Sequence, residues 1–472
     1  MSDPVPGSNA DRSLVGSARR ITKLAWPVLV GQLSVVAFGT IDTLLVARFS
    51  SLDLAALAVG AAIYMTVFIG FMGVVLAIGP IAGQLFGARQ YPQAGRQVHQ
   101  ALWIALAMGC IGSTLLLLPQ PFLAIAQVTP EVGAKLQGYL TALAFSLPAA
   151  LLFTVYRGFN TAVSRPKAVM VLQLCGLALK VPLSVALVWG VPGFGVPSLG
   201  VVGCGIATCI AMWAQLIAAV VVLRRDAFYD RFELWGRGLD APDRPALRTQ
   251  LRLGLPIGAT ILIEVTGFTF MAIFIARLGA VPVAGHQIAA NLVALLFMMP
   301  LALANATSTL VAQRIGAQDL RDARRLGWHG LLIGCAVAAV MGGTVFLARV
   351  SVVALYTADA AVAAVALSLV AWLALFHLAD AAQAIAGFVL RAYRITVITL
   401  VVYVGALWGV GLFGGYVLAF DTLGISPPGL TGARGFWVAA TAGLVIAALI
   451  LCVYMVRMLK RQRVTAMSPR AD

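Results

Sequence analysis

The chain has 472 residues, of which 61% are hydrophobic and only 11% are charged. Soluble globular proteins carry about 25% charged residues, so this composition excludes a soluble enzyme, a disordered chain and a coiled coil. The formal net charge is +16, and we attribute it to loops that stay in the cytoplasm, where Lys and Arg collect, rather than to nucleic-acid binding.

Apolar runs follow one another along the chain, and each is long enough for a spanning helix of about 20 residues. The twelve runs lie near residues 24–47, 54–79, 98–119, 136–156, 168–190, 199–223, 253–276, 284–311, 328–348, 362–390, 395–419 and 436–456. A membrane β-barrel would instead show alternating segments of about ten residues. The sequence therefore predicts an all-α integral membrane protein with twelve transmembrane helices.

The distribution of Lys and Arg predicts the orientation. With a cytoplasmic N-terminus, 27 of the 33 fall in cytoplasmic segments and five in external ones, while Lys180 lies inside a helix. Positive residues concentrate in cytoplasmic loops, so we expect both termini in the cytoplasm. The six Cys and four His show no metal-ligand spacing, and no cofactor is expected.

An internal repeat divides the chain into halves. A shift of 229 residues places Pro27 on Pro256 and makes residues 20–100 and 249–329 copies of each other. Because six helices return the chain to the same side, the repeats are parallel, as in transporters with two similar lobes. The expected division is an N-terminal tail (1–20), an N-lobe (21–225), a cytoplasmic linker (226–248), a C-lobe (249–460) and a C-terminal tail (461–472).

Charged residues at depth are the first candidates for function, since each costs about 2.5–3.5 kcal/mol at a helix centre. They are Asp42 in the first helix, Lys180 in the fifth, Glu264 in the seventh and Asp380 in the tenth. The repeat places Val35 opposite Glu264, so the shared scaffold does not require an acid there. We expect Asp42 to pair with Lys180, because two unpaired buried charges are each costly.

Polar and adaptable side chains inside the helices are weaker candidates, because single amides at helix interfaces usually serve packing. Gln287 and Asn291 lie one turn apart on the eighth helix, and Phe and Met suit a promiscuous pocket. The candidates for substrate or ion contact are Gln32, Gln287, Asn291, Phe297 and Met298.

Four segments resemble the multidrug and toxic compound extrusion (MATE) family in its NorM-type branch. They are residues 31–48 (GQLSVVAFGTIDTLLVAR), 255–289 (LPIGATILIEVTGFTFMAIFIARLGAVPVAGHQIA), 380–393 (DAAQAIAGFVLRAY) and 432–437 (GARGFW). The resemblance implies an exporter of cationic amphipathic drugs and dyes that lies in the inner membrane of a bacterial cell and is driven by Na⁺ or H⁺. It also implies that Glu264 and Asp380 bind the coupling cation, as the metal ligands if that ion is Na⁺, and that Asp42 is the acid of the first lobe.

One departure from the branch concerns the fifth helix, where Lys180 and Ser184 replace two Asn residues. A fixed ammonium beside Asp42 would repel Na⁺ and a cationic drug alike, so the first lobe is expected to hold a built-in cation.

The expected function is antiport by rocking of the two lobes, with Na⁺ or H⁺ as the coupling ion and small lipophilic cations as substrates. The chain carries no phosphate-binding motif GxxxxGK[ST], so an ion gradient must supply the energy. Membrane lipids surround the protein, and neither nucleic acid nor an obligate protein partner is expected. A lipid or polysaccharide-precursor flippase of the same architecture is the alternative, although it would favour a basic cavity. A membrane enzyme would need a metal or nucleophile cluster that the helices lack.

Overall fold

The computed structural model describes residues 12–465 except 127–128, 192, 194, 196, 236–237, 425 and 428. Residues 1–11 and 466–472 of the two expected tails lie outside the described residues, as does Arg237 of the expected linker.

The described chain is helical and contains twelve helices long and apolar enough to cross a membrane, which confirms the predicted fold class. The first six are α1 (Leu14–Phe49), α2 (Ser51–Gly87), α3 (Tyr91–Leu117), α4 (Pro130–Ala162), α5 (Pro166–Trp189) and α6 (Val201–Arg225). The next six are α7 (Arg244–Ala276), α8 (Ala280–Gly316), α9 (Leu320–Leu347), α10 (Leu373–Ala392), α11 (Val397–Phe420) and α12 (Ala433–Lys460).

Proline and capping residues explain where several helices begin. Proline is the first or second residue of α3, α4 and α5, where its missing N–H is not needed by the helix. Asp319 caps α9 by accepting a hydrogen bond from the Asp322 backbone N–H. Further prolines lie inside helices, which membrane helices tolerate: Pro27, Pro148, Pro182, Pro256 and Pro300.

Two helices are less regular than the sequence suggested. The run expected as one helix over 362–390 is a short helix, Ala360–Val370, followed by α10. The middle of α11 is wound as a π-helix over Val404–Phe413. Such wide turns occur frequently at functional sites.

The two repeats share backbone detail as well as sequence. Arg89 follows α2 and Gln318 follows α8, and these positions are 229 residues apart. Both adopt the left-handed conformation with φ of 60°, which is uncommon for residues other than glycine. The same turn therefore closes the second helix of each repeat.

The chain divides into two compact units, which we call the first unit (residues 27–261) and the second unit (residues 12–26 with 262–465 among those described). In the first unit α4 packs against α2, α3 and α6, and Leu136, Leu140 and Phe159 are fully buried in its core. In the second unit α10 packs against α8, α9 and α12. The central position of α10 is what buries its polar residues.

The segment after α6 is folded onto the first unit. A 3₁₀ helix over Ala227–Phe232 buries Tyr229 and Phe232, and the Tyr229 hydroxyl donates to Asn160 Oδ1 at 2.5 Å. Further along, the His99 ring lies 3.0 Å from both Asp240 Oδ2 and the Leu234 carbonyl. The described part of the expected linker is thus an ordered part of this unit.

Candidate ion-coupling site

Two carboxylates lie together in the second unit. Asp380 is 5% exposed on α10, and Glu264 is half-buried on α7. The two side chains interact electrostatically with each other. Two like charges in an apolar surrounding repel, so the arrangement favours a bound cation or a proton.

A chain of hydrogen bonds orients Asp380. The Gln383 amide donates from Nε2 to Asp380 Oδ1 at 3.0 Å, one turn further along α10. The Tyr403 hydroxyl of α11 donates in turn to Gln383 Oε1. Since Asp380, Gln383 and Tyr403 are all buried, this chain fixes one carboxylate oxygen and leaves the other free for a ligand.

The π-helix of α11 lies beside Glu264. Trp408 donates its indole Nε1–H to the Ile263 carbonyl at 3.0 Å, and its ring packs against Phe270 with centroids 5.9 Å apart. Tyr403, which interacts electrostatically with Glu264, directly precedes the π-helical turns. The irregular part of α11 thus contacts α7 at Ile263, the residue before Glu264, and at Phe270.

A guanidinium completes the cluster. Arg391 lies in the last turn of α10 with its guanidinium 4.2 Å from the centroid of the Phe388 ring. It interacts electrostatically with Glu264 and with Tyr403. With both carboxyl groups ionised, the two acids and one guanidinium would carry a single negative charge, which one monovalent cation or one proton neutralises.

The oxygen atoms of the cluster suit a hard cation. Glu264 and Asp380 supply carboxylate oxygens and Tyr403 a hydroxyl, the kind of ligand that hard cations prefer. Within the described residues no group of three His, Cys, Asp or Glu side chains is placed to hold a metal ion.

The first unit contains the other pair of buried charges. Lys180 on α5 donates from Nζ to Asp42 Oδ2 on α1 at 2.6 Å, and also to the Phe38 carbonyl at 3.2 Å. The two side chains are only 1% and 7% exposed. The structure thus brings together the residues that the sequence led us to pair.

The remaining bonds of Asp42 come from short side chains. Ser184, one turn beyond Lys180, donates from Oγ to Asp42 Oδ1 at 3.4 Å, and Cys204 of α6 interacts electrostatically with the carboxylate. The Lys180 ammonium further lies 4.9 Å from the centroid of the Phe38 ring. Both charges therefore have partners on several sides, and the pair is electrically neutral.

The weaker candidates are spread over both units. Gln32 has a buried Oε1 without a hydrogen-bond partner in the described part of the chain. Gln287 and Asn291 are exposed on α8, and Asn291 accepts a hydrogen bond from the Tyr356 hydroxyl at 3.2 Å. Phe297 and Met298 are half-buried. The surroundings of these five residues do not assign a role to any of them.

Two motif segments are joined by a buried hydrogen bond. His286 of the GHQIA segment accepts at Nδ1 from Trp437 Nε1–H at 3.1 Å. Because the indole only donates, Nδ1 carries no proton and the neutral ring has its proton on Nε2. This histidine connects α8 to α12 and is structural.

Sequence reasoning missed two members of the site. Tyr403 is one of many aromatic residues in an apolar run, and nothing local distinguishes it. Arg391 was placed in a connecting loop, but α10 extends to Ala392 and includes it. A signal was present, because a shift of 234 residues aligns Arg391 with Arg157, and Arg157 likewise lies inside its helix.

Comparison with known proteins agrees with this geometry. The MatE family profile matches residues 27–186 and 256–417. The chain is 37% identical over 442 residues to a probable multidrug resistance protein NorM of Aromatoleum aromaticum, covering 94% of each chain. It is 36% identical over 444 residues to the multidrug resistance protein PmpM of Pseudomonas aeruginosa, covering 94% of this chain and 92% of that one.

Solved structures share the fold. The eukaryotic MATE transporter AtDTX14 matches with a TM-score of 0.82 at 20% identity, covering 96% of this chain and 100% of that one. An outward-facing multidrug resistance MATE family transporter of the MOP superfamily matches with a TM-score of 0.83 at 18% identity, covering 95% and 97%.

The fold and these matches define a multi-pass membrane transporter, and they confirm that the protein is not an enzyme. The chain belongs to the MATE family, in its NorM-type branch.

Proposed function

We propose that the protein is a secondary multidrug exporter that exchanges cationic amphipathic drugs or dyes for inward-moving Na⁺ or H⁺. The observation that carries the proposal is the interaction of two acids, Glu264 and Asp380, within the second unit, where Arg391 supplies one positive charge beside Glu264. The names of the relatives as multidrug resistance proteins support the substrate class.

In this proposal Glu264 and Asp380 hold the coupling ion, and Tyr403 and Gln383 orient Asp380. The ion and the drug must favour different conformations of the transporter, since otherwise binding of one does not drive release of the other. A carboxylate beside an aromatic surface also attracts a lipophilic cation. Trp408 contacts the Ile263 carbonyl, next to Glu264 in the chain, and the Phe270 ring, so we propose that the drug competes with the ion on this part of α7.

In this proposal the first unit does not bind the coupling ion. Lys180 occupies the position beside Asp42 that a captured cation would need, at 2.6 Å from the carboxylate. We therefore assign ion coupling to the second unit alone. The neutral pair in the first unit keeps α1 and α5 together.

The test is dye efflux from proteoliposomes in which Na⁺ and H⁺ gradients are imposed separately. We expect one gradient to drive efflux, and we expect Glu264→Gln and Asp380→Asn each to abolish it. Glu131→Gln is the matched control, because Glu131 is an exposed carboxylate in the first turn of α4. Efflux near the wild-type rate in a normally folded Glu264→Gln or Asp380→Asn variant would remove that residue from the mechanism. Efflux that neither gradient drives would refute antiport.

A further inference from the structure

A cluster of arginines surrounds one buried carboxylate at the beginning of α9. Asp322 is 4% exposed, and its Oδ2 lies 3.1 Å from Arg20 Nη1 and 3.0 Å from Arg314 Nε. Arg325 Nη1 lies 3.9 Å from Asp322 Oδ1. We call Arg20, Arg314 and Arg325, with Asp322, the arginine cluster. All four residues belong to the second unit.

The arginine cluster has more positive charge than its own carboxylate neutralises. Three guanidinium groups face one Asp322, and the nearby Asp319 uses Oδ1 to cap α9. Residues 12–23 and 314–325 together contain eight basic and two acidic residues. Like charges gathered at this density repel one another, so an additional anion would stabilise the cluster.

Several donors in the arginine cluster also lack acceptors. Arg20 Nε and Nη2 and Arg325 Nη1 are buried without a hydrogen-bond partner among the residues that the structure describes, as is the acceptor Asp322 Oδ1. Asp322 Oδ1 lies 3.9 Å from Arg325 Nη1, so the two donors of Arg20 are the ones without an acceptor nearby. The Arg20 side chain as a whole is 18% exposed. Buried donors are normally satisfied, and leaving one unsatisfied is costly. The collection of arginines in cytoplasmic loops explains their number but not their burial around a shared point.

The shared repeat scaffold does not account for the arginine cluster either. A shift of 229 residues places Leu85 opposite Arg314 and Gln93 opposite Asp322. Arg96 is the counterpart of Arg325, and it is exposed. The first repeat therefore forms the same turn without gathering charges.

We propose that the arginine cluster binds a phosphate group, supplied by an anionic phospholipid headgroup or by free phosphate. Guanidinium groups donate in parallel pairs to phosphate oxygens, and Arg20 has two such donors, Nε and Nη2, on one edge. The N-terminus of α9 adds the favourable end of a helix dipole. The cluster lies where α1 and α9 begin and α8 ends, and basic pockets among membrane helices on the cytoplasmic side bind lipid headgroups.

The N-terminal part of α1 is held at this place by a second contact. His329 Nδ1 lies 2.8 Å from Ser17 Oγ, one turn before Arg20. Because Arg20 and Arg325 come from different helices, a bound phosphate would join α1 to α9. Binding should therefore raise the thermal stability of the protein, whatever its effect on transport.

The experiment measures binding and thermal stability of the purified full chain in detergent. The probes are phosphatidylglycerol, inorganic phosphate, and, as controls, phosphatidylcholine and chloride at matched ionic strength. Native mass spectrometry reports bound lipid, and the shift in melting temperature reports both lipid and phosphate. We expect phosphatidylglycerol to stabilise the protein more than phosphatidylcholine does. Stabilisation by inorganic phosphate as well would show that the phosphate group alone suffices, and its absence would assign the site to the lipid.

The variants decide whether the arginine cluster is the site. Arg325→Gln leaves the two closest ion pairs of Asp322 intact, and we expect it to weaken binding about tenfold, or about 1.4 kcal/mol. Arg20→Gln should act in the same direction. Arg96→Gln removes one charge at the matching position of the first repeat and should leave binding unchanged. The proposal is overturned if neither probe stabilises the wild type beyond its control, if Arg325→Gln binds as tightly as the wild type, or if Arg96→Gln weakens binding equally.

Discussion

Breaking the ion pair between Asp42 and Lys180 from one side should destabilise the protein strongly. The pair is 2.6 Å long, with side chains 1% and 7% exposed, so water cannot replace a lost partner. Removing one member of a buried pair typically costs about 3–5 kcal/mol. We expect Asp42→Asn and Lys180→Met each to lower the unfolding free energy by about this amount. The double variant should lose less than the sum, with a coupling energy of about 3 kcal/mol.

A second ion pair in the same unit provides the matched control. Lys135 lies 2.8 Å from Asp53, and its side chain is 36% exposed. Asp53 is only 1% exposed, but water reaches the Lys135 ammonium, so the coupling energy in this cycle should be smaller than in the Asp42–Lys180 cycle, about 1 kcal/mol. Asp53 also accepts from the Val201 backbone N–H at 2.9 Å, so replacing Asp53 alone lowers the unfolding free energy for a second reason. The comparison is therefore between the coupling energies of the two double-mutant cycles.

The assay is unfolding of the purified protein in mixed micelles, followed by tryptophan fluorescence, with dye efflux measured on the same variants. We expect the double variant Asp42→Asn with Lys180→Met to keep gradient-driven efflux, because coupling is assigned to the second unit. Purely additive losses in the Asp42–Lys180 cycle would refute the energetic argument. Loss of all efflux by a stable double variant would refute the restriction of coupling to the second unit.

Three further predictions concern other parts of the chain. Tyr403→Phe removes the hydroxyl that donates to Gln383. We expect it to raise the ion concentration for half-maximal efflux about tenfold, or about 1.4 kcal/mol, with the maximal rate less affected. An unchanged ion dependence would contradict this role. Trp437→Phe leaves the buried His286 Nδ1 without its donor and should cost about 1–3 kcal/mol of stability, whereas unchanged unfolding would show that the bond contributes nothing. Epitope tags at either terminus or within residues 226–248 should react only after cells are opened, and labelling of intact cells would reverse the predicted orientation.

Much of the fold follows from the sequence because the membrane imposes a minimum length of apolar helix. The twelve runs, their even number in each repeat, and the 229-residue shift all follow from the positions of apolar and basic residues. The pairing of Asp42 with Lys180 followed from energetics alone, since no other acid of the first repeat was available at depth. The structure has the two side chains in contact.

The parts that the sequence did not predict depend on contacts between distant helices. The bond from Tyr403 to Gln383 joins α11 to α10, and apolar periodicity says nothing about which aromatic residue faces which amide. The apolar run predicted over residues 54–79 leaves out the buried Asp53, although α2 begins at Ser51 and includes it. A shift of a few residues in a helix boundary thus moved both Asp53 and Arg391 from loop to helix.

The two units solve the problem of buried charge differently, although they descend from the same sequence pattern. In the first, Lys180 neutralises Asp42 within the protein, so folding requires no ion from solution. In the second, Arg391 can balance only one of two ionised carboxylates, and in the proposed mechanism the coupling ion neutralises the other. An entering cation can also leave, whereas a covalently attached ammonium cannot. The first unit has Lys180 beside its acid and the second has no attached cation for its second carboxylate. This difference gives a physical reason why only one unit would respond to an ion gradient.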